Sequence, residues 1–102
     1  MDEYNFQIQI VPTHIWDLKN DNVDIEVKLS NGKRYGATFF TLTNIQYIFE
    51  KYKSTGECLN GLYFWSSNMI VVEKLTLEVI DLTVRDLLNN GEFFSIFEEF
   101  VP

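Results

Sequence analysis

Apolar and polar residues alternate along the start of the chain, where Tyr4, Phe6, Ile8 and Ile10 are separated by Asn5, Gln7 and Gln9. A period of two turns one side of an extended segment inward, so this stretch reads as the first strand. Pro12 to Asn22 breaks the alternation with Pro, Asp and Asn while keeping Ile15 and Trp16. This predicts a loop pinned to the core by its aromatic. Alternation returns at Val23, Ile25, Val27 and Leu29, and Lys33 to Phe40 is again extended in character. The Asn31-Gly32 pair between them predicts a hairpin closed by a two-residue turn of type I′, in which both residues take positive φ.

The period then lengthens. Thr43 and Gln46 have capping-box spacing, and Ile45, Ile48, Phe49 and Tyr52 recur at helical intervals as far as Gly56. An amphipathic helix is expected there, with Gln46, Glu50, Lys51 and Lys53 toward solvent. Leu62-Tyr63-Phe64-Trp65 and Met69-Ile70-Val71-Val72 flank Ser66-Ser67-Asn68, which predicts a second hairpin. Thr76 precedes a helical stripe of Leu77, Ile80, Val84, Leu87 and Leu88 that Gly91 ends, and Glu92 to Phe100 repeats the theme as a short final helix. The expected order is ββ(β)αββαα. The fold class is α+β, an antiparallel sheet of about five strands (two hairpins) packed against two to three helices.

Composition narrows the picture. A chain of 102 residues with 46% hydrophobic and 16% aromatic content, nine of them Phe, has the length and the material for one domain, residues 1–102, with its own core. No linker, repeat or low-complexity stretch interrupts it. The single cysteine, Cys58, has no intrachain partner, which fits a reducing compartment and a buried, inert thiol. The first residues are acidic and alternating rather than basic and then continuously apolar, so no secretory signal is expected. The apolar runs are far shorter than the roughly 20 residues that span a bilayer. A cytoplasmic protein is the reading these features support.

Charge adds a direction. The chain carries 15 acidic and 8 basic residues, net −7, unevenly placed. Residues 57 to 102 hold eight acids against Lys74 and Arg85 alone, net −6. Such a surface disfavours nucleic acid and anionic lipid and favours a basic protein partner, although acids also serve solubility. The stripe on the second long helix turns Glu78, Asp81 and Asp86 outward, with Glu92 following beyond Gly91. These four carboxylates are the candidate partner-binding residues.

Catalytic and cofactor chemistry has little to stand on. His14 is the only histidine, so a multi-histidine metal site is impossible and a Ser-His-Asp triad has no support. Glu57 beside Cys58 would raise a thiol pKa, which opposes nucleophilic use. The five glycines, at 32, 36, 56, 61 and 91, each fall where a turn or helix end requires one, and no phosphate-cradling loop with a following lysine occurs. Acid pairs such as Asp81 with Asp86, or Glu98 with Glu99, fall on expected solvated faces. No cofactor and no catalytic residue is expected.

The stretch from Ile25 to Leu88 resembles small bacterial immunity-type proteins that accompany polymorphic or contact-dependent toxins. The resemblance rests on Leu29-Ser30-Asn31-Gly32-Lys33-Arg34-Tyr35, Ala37-Thr38-Phe39-Phe40-Thr41, Gly56-Glu57 and Gly61-Leu62-Tyr63-Phe64-Trp65. It implies a stoichiometric antidote that binds a toxin domain, and it transfers no binding residue. The alternative is a structural or adaptor protein, with the chain a homodimer joined through sheet edges and no toxin. An enzyme using Cys58 or a carboxylate pair ranks last.

Overall fold

The computed structural model describes residues 5 to 10 and 16 to 101. The expected features at Tyr4, Pro12, His14 and Ile15 lie outside the described residues. The elements run β1 (Phe6–Ile10), β2 (Asn22–Leu29), β3 (Arg34–Thr41), α1 (Leu42–Thr55), α2 (Glu57–Gly61), β4 (Met69–Val72), α3 (Leu77–Asn90), α4 (Phe93–Ile96) and β5 (Glu98–Phe100). The result is an α+β fold with a five-stranded, mostly antiparallel sheet. Its order is β1-β2-β3-β4, with β5 beside β4 along the same edge of β3.

Alternation decides which face is buried. In register, Ile8 faces Val27 and Val27 faces Tyr35, while Ile10 faces Ile25 and Ile25 faces Ala37. One face of the sheet is therefore a continuous apolar surface. Helix α3 buries Ile80, Val84 and Leu88, and they join this surface in a single core with Leu75, Phe93 and Phe97. Each such side chain contributes about 1.5–3 kcal/mol by leaving water. The final segment adds aromatic contacts. Phe93 stacks on Phe97 at 4.2 Å between ring centroids, and Tyr35 meets Phe93 edge-on at 5.3 Å.

The first hairpin forms, but its turn differs from the two-residue type. Leu29 N–H donates to Lys33 O at 2.9 Å and Gly32 N–H to Leu29 O at 2.9 Å, and of the loop residues only Gly32, at φ 87°, is left-handed. Ser30, Asn31 and Gly32 make a three-residue loop with a glycine bulge. The Asn31 side chain explains its preference for negative φ, since its Oδ1 accepts from Lys33 N–H at 2.9 Å.

The helix boundaries follow local hydrogen bonds. Thr41, rather than Thr43, caps α1, its Oγ1 accepting from Asn44 N–H at 3.1 Å. Asn44 then turns its amide into the fold, accepting from Asn22 Nδ2 at 2.9 Å and donating to Asn20 Oδ1 at 3.0 Å. Both Thr41 and Asn44 are buried. Gly56 ends α1 as expected, and Thr76 and Gly91 bound α3 as expected.

The second hairpin does not form. Only residues 69–72 become a strand, β4, and it pairs with β3 in parallel, Thr38 facing Met69 and Thr41 facing Val72. The chain reaches it by a crossover through α1, the kind of connection that parallel neighbours need. The expected final helix is also cut short. It ends at Ile96, and Glu98–Phe100 pairs antiparallel with Arg34, Tyr35 and Gly36 instead. Both departures have one cause, the free edge of β3.

Ala at Gly32 meets no atom within 4 Å, so the cost of Gly32→Ala is conformational alone. It is expected to destabilise the fold by about 1 kcal/mol. The check is a urea midpoint that falls without a change in slope.

Candidate functional site

The structure places the four predicted carboxylates along one length of chain without joining them into a cluster. Glu78 and Asp86 are exposed on α3, and Glu92 is exposed just before α4. Asp81 is half-exposed and tied to Arg85 at 3.2 Å, one helical turn on. Arg85 also lies over the Phe6 ring at 4.8 Å. Between the acids the outer face of α3 carries Leu82, more than half exposed. Glu78, Asp86 and Glu92 form no ion pair with a described residue, so their charges are free to act on a partner.

A second surface lies between α1 and β4. After Gly56 the chain makes one left-handed turn: Cys58, Leu59 and Asn60 have φ of 50°, 54° and 59°. Asparagine tolerates this conformation, but cysteine and leucine do so at roughly 1–2 kcal/mol each. Hydrogen bonds hold the turn, Asn60 N–H donating to Gly56 O at 3.3 Å and Leu62 N–H to Cys58 O at 3.0 Å. Gly61 then passes close to α1, where a Cβ would lie 2.7 Å from Phe49 O. Only glycine fits both the φ of 77° and that approach.

The turn throws apolar side chains outward. Leu59 is 69% exposed and Leu62 75%. Beyond it Phe64 packs against Phe40 and Tyr52, at 5.5 and 6.2 Å between centroids. Its neighbours Tyr63 and Trp65 are exposed, Trp65 to 70%. Leu59, Leu62, Tyr63 and Trp65 stand within seven consecutive residues. Large exposed apolar side chains grouped this closely in sequence are a candidate for contact with another molecule.

Cys58 is partly buried rather than sealed in the core. The Tyr52 phenol is held above its ordinary pKa, first by desolvation and then by the neighbouring Glu57 carboxylate and Cys58, so it stays neutral at physiological pH. On the open face of the sheet a groove of about 490 Å³ is bordered by Asp24, Arg34, Thr38 and Phe100. Its polar groups satisfy one another. Thr38 Oγ1 donates to Asp24 at 2.7 Å, Arg34 pairs with Glu26 at 3.1 Å, and the Arg34 guanidinium lies 5.9 Å from the Phe100 ring centroid. Gly36 leaves the space that the Phe100 ring fills. Among the described residues no group of three or more His, Cys, Asp or Glu is placed to hold a metal ion. No helix among them is long and apolar enough to cross a membrane.

No family model, curated protein or solved structure matches this chain.

Sequence reasoning placed Leu62, Tyr63 and Trp65 in a strand and did not single out Leu59. The readable signal was Asn60-Gly61 following Gly56, a run of residues that accept positive φ. Leu59→Gly should stabilise the isolated domain by about 0.5–1 kcal/mol, because it removes left-handed strain from a side chain that buries little. A higher thermal midpoint checks this; a lower one would mean that the leucine is held by contacts worth more than the strain.

Proposed function

We propose that this chain is a non-catalytic protein-binding domain of the immunity or antitoxin type, acting in the bacterial cytoplasm to neutralise a cognate toxin. The observation that carries the reading is the exposed apolar set of Leu59, Leu62, Tyr63 and Trp65, which begins in the left-handed turn and continues beyond it. Tyrosine and tryptophan supply large contact area at small entropic cost and are the residues over-represented at binding hot spots. The acids of the second half, among them Glu78, Asp81, Asp86 and Glu92, favour a basic toxin domain and speed its capture.

The two surfaces divide the work. Long-range attraction from net −7 raises the encounter rate and fades with salt. Desolvation of the aromatic segment sets the dissociation rate. A stoichiometric inhibitor needs both and needs no turnover, which agrees with a surface whose titratable groups are paired or solvated.

The test is co-expression with the C-terminal domain of any large secreted protein encoded beside this gene, scored by cell survival, followed by kinetics of the purified pair. Trp65→Ala is expected to weaken the complex by about 2 kcal/mol or more through faster dissociation. Reversing Glu78, Asp81, Asp86 and Glu92 together to Lys, with folding confirmed by circular dichroism, is expected to slow association about tenfold at low salt and little at high salt. Survival that does not depend on the chain overturns the antitoxin reading. A complex indifferent to both variants removes these surfaces from it.

A further inference from the structure

Among the described residues nothing pairs with the outer side of β1, which ends the sheet. Two hydrogen bonds determine which backbone groups point out there. Leu29 N–H donates to Lys33 O and Thr41 N–H to Asp21 O, so the odd-numbered residues of β2 direct their N–H and C=O groups toward β3. The even-numbered ones, Glu26 and Lys28 among them, direct theirs toward β1. Glu26 faces Gln9 and Lys28 faces Gln7. The ladder to β2 thus uses Gln7 and Gln9, and Phe6, Ile8 and Ile10 turn their N–H and C=O groups outward.

We propose that this edge pairs antiparallel with the same edge of a second copy of the chain, about a twofold axis at Ile8. The sequence Phe6-Gln7-Ile8-Gln9-Ile10 has the same polarity pattern in both directions, which is what a self-complementary twofold interface requires. Ile8 then faces Ile8 of the second copy and Phe6 faces its Ile10. Both are hydrogen-bonded pairs made from the outward groups.

Burial and charge favour this occupant. Phe6, Ile8 and Ile10 are only partly buried, whereas Leu29, Val27 and Ile25 beside them on the same face are 6%, 0% and 1% exposed. A second strand supplies the missing neighbour. The strand holds no charged residue and no proline, in a chain that is 23% charged, so it lacks the devices that keep solitary edges apart. On the open face the twofold sets Gln7 against Gln9 of the second copy, with Lys28 of one copy and Glu26 of the other on the strands behind them. A five-residue strand on each side belongs at the small end of specific interfaces, below about 1,200 Å², so the dimer forms at high concentration.

The proposal is independent of the antitoxin reading, and salt separates the two. Two chains of net −7 repel, so added salt should strengthen this association while it weakens capture of a basic partner. The test is sedimentation equilibrium of the full chain from micromolar to millimolar concentration at low and high salt. The wild-type chain is expected to form dimers that tighten with salt. Gln7 and Gln9 are exposed, and circular dichroism checks that each variant stays folded. Gln7→Lys with Gln9→Lys sets like charges opposite one another across the axis and should weaken the dimer about tenfold. Gln7→Glu with Gln9→Lys sets opposite charges there, and opposite Lys28 and Glu26 within each copy as well, and should restore or tighten it. A chain that stays monomeric at millimolar concentration, or a dimer that ignores both double variants, overturns the proposal.

Discussion

Everything in this fold depends on the two edges of β3. One edge is taken along its length by β2, and the other is divided, Thr38 to Thr41 pairing with β4 and Arg34 to Gly36 with β5. Backbone N–H and C=O groups buried in a sheet must be paired, so an open edge next to a packed core draws in whatever extended segment can reach it. Met69 to Val72 reaches it by way of α1 and so arrives parallel. Glu98 to Phe100 reaches it from the end of α4 and arrives antiparallel. Once both have docked, no edge of β3 remains for Leu62 to Trp65.

That exclusion produces the surface on which the functional reading rests. Without a partner strand, the segment packs Phe64 against Phe40 and Tyr52 and leaves Tyr63 and Trp65 facing solvent. The left-handed turn at Cys58 to Asn60 carries the chain from the end of α1 into this position and adds Leu59 and Leu62 to the exposed set.

Much of this was legible in the chain because it is local. The alternation from Phe6 to Ile10 and from Val23 to Leu29 gave the inward face, Gly32 gave the turn, and Thr76 and Gly91 bounded α3. What could not be read was competition between distant segments. Leu62 to Trp65 and Met69 to Val72 have equal strand character, and only the geometry of β3 decides which one pairs. In the same way Phe97 to Phe100 has helical spacing, but an unfilled edge outweighs a marginal helix end. The cap at Thr41 rather than Thr43 depends on Asn20 and Asn22, some 20 residues earlier, which hold Asn44 in place. The candidate acids were located correctly on the outside at Glu78, Asp86 and Glu92, while the pairing of Asp81 with Arg85 followed from helical spacing that had been available from the start.

The central claim is that saturation of β3 leaves Tyr63, Phe64 and Trp65 without backbone partners among the described residues. Amide hydrogen exchange on the isolated protein, resolved by residue, tests it directly. The amides of Ile70 and Val72 and of the central residues of β3 should be protected to the level of global unfolding, and those of Tyr63, Phe64 and Trp65 should exchange within the range of unprotected loops. Comparable protection of the two segments would mean that Leu62 to Trp65 is paired as a strand, and that the exposed aromatic surface does not exist in the folded protein.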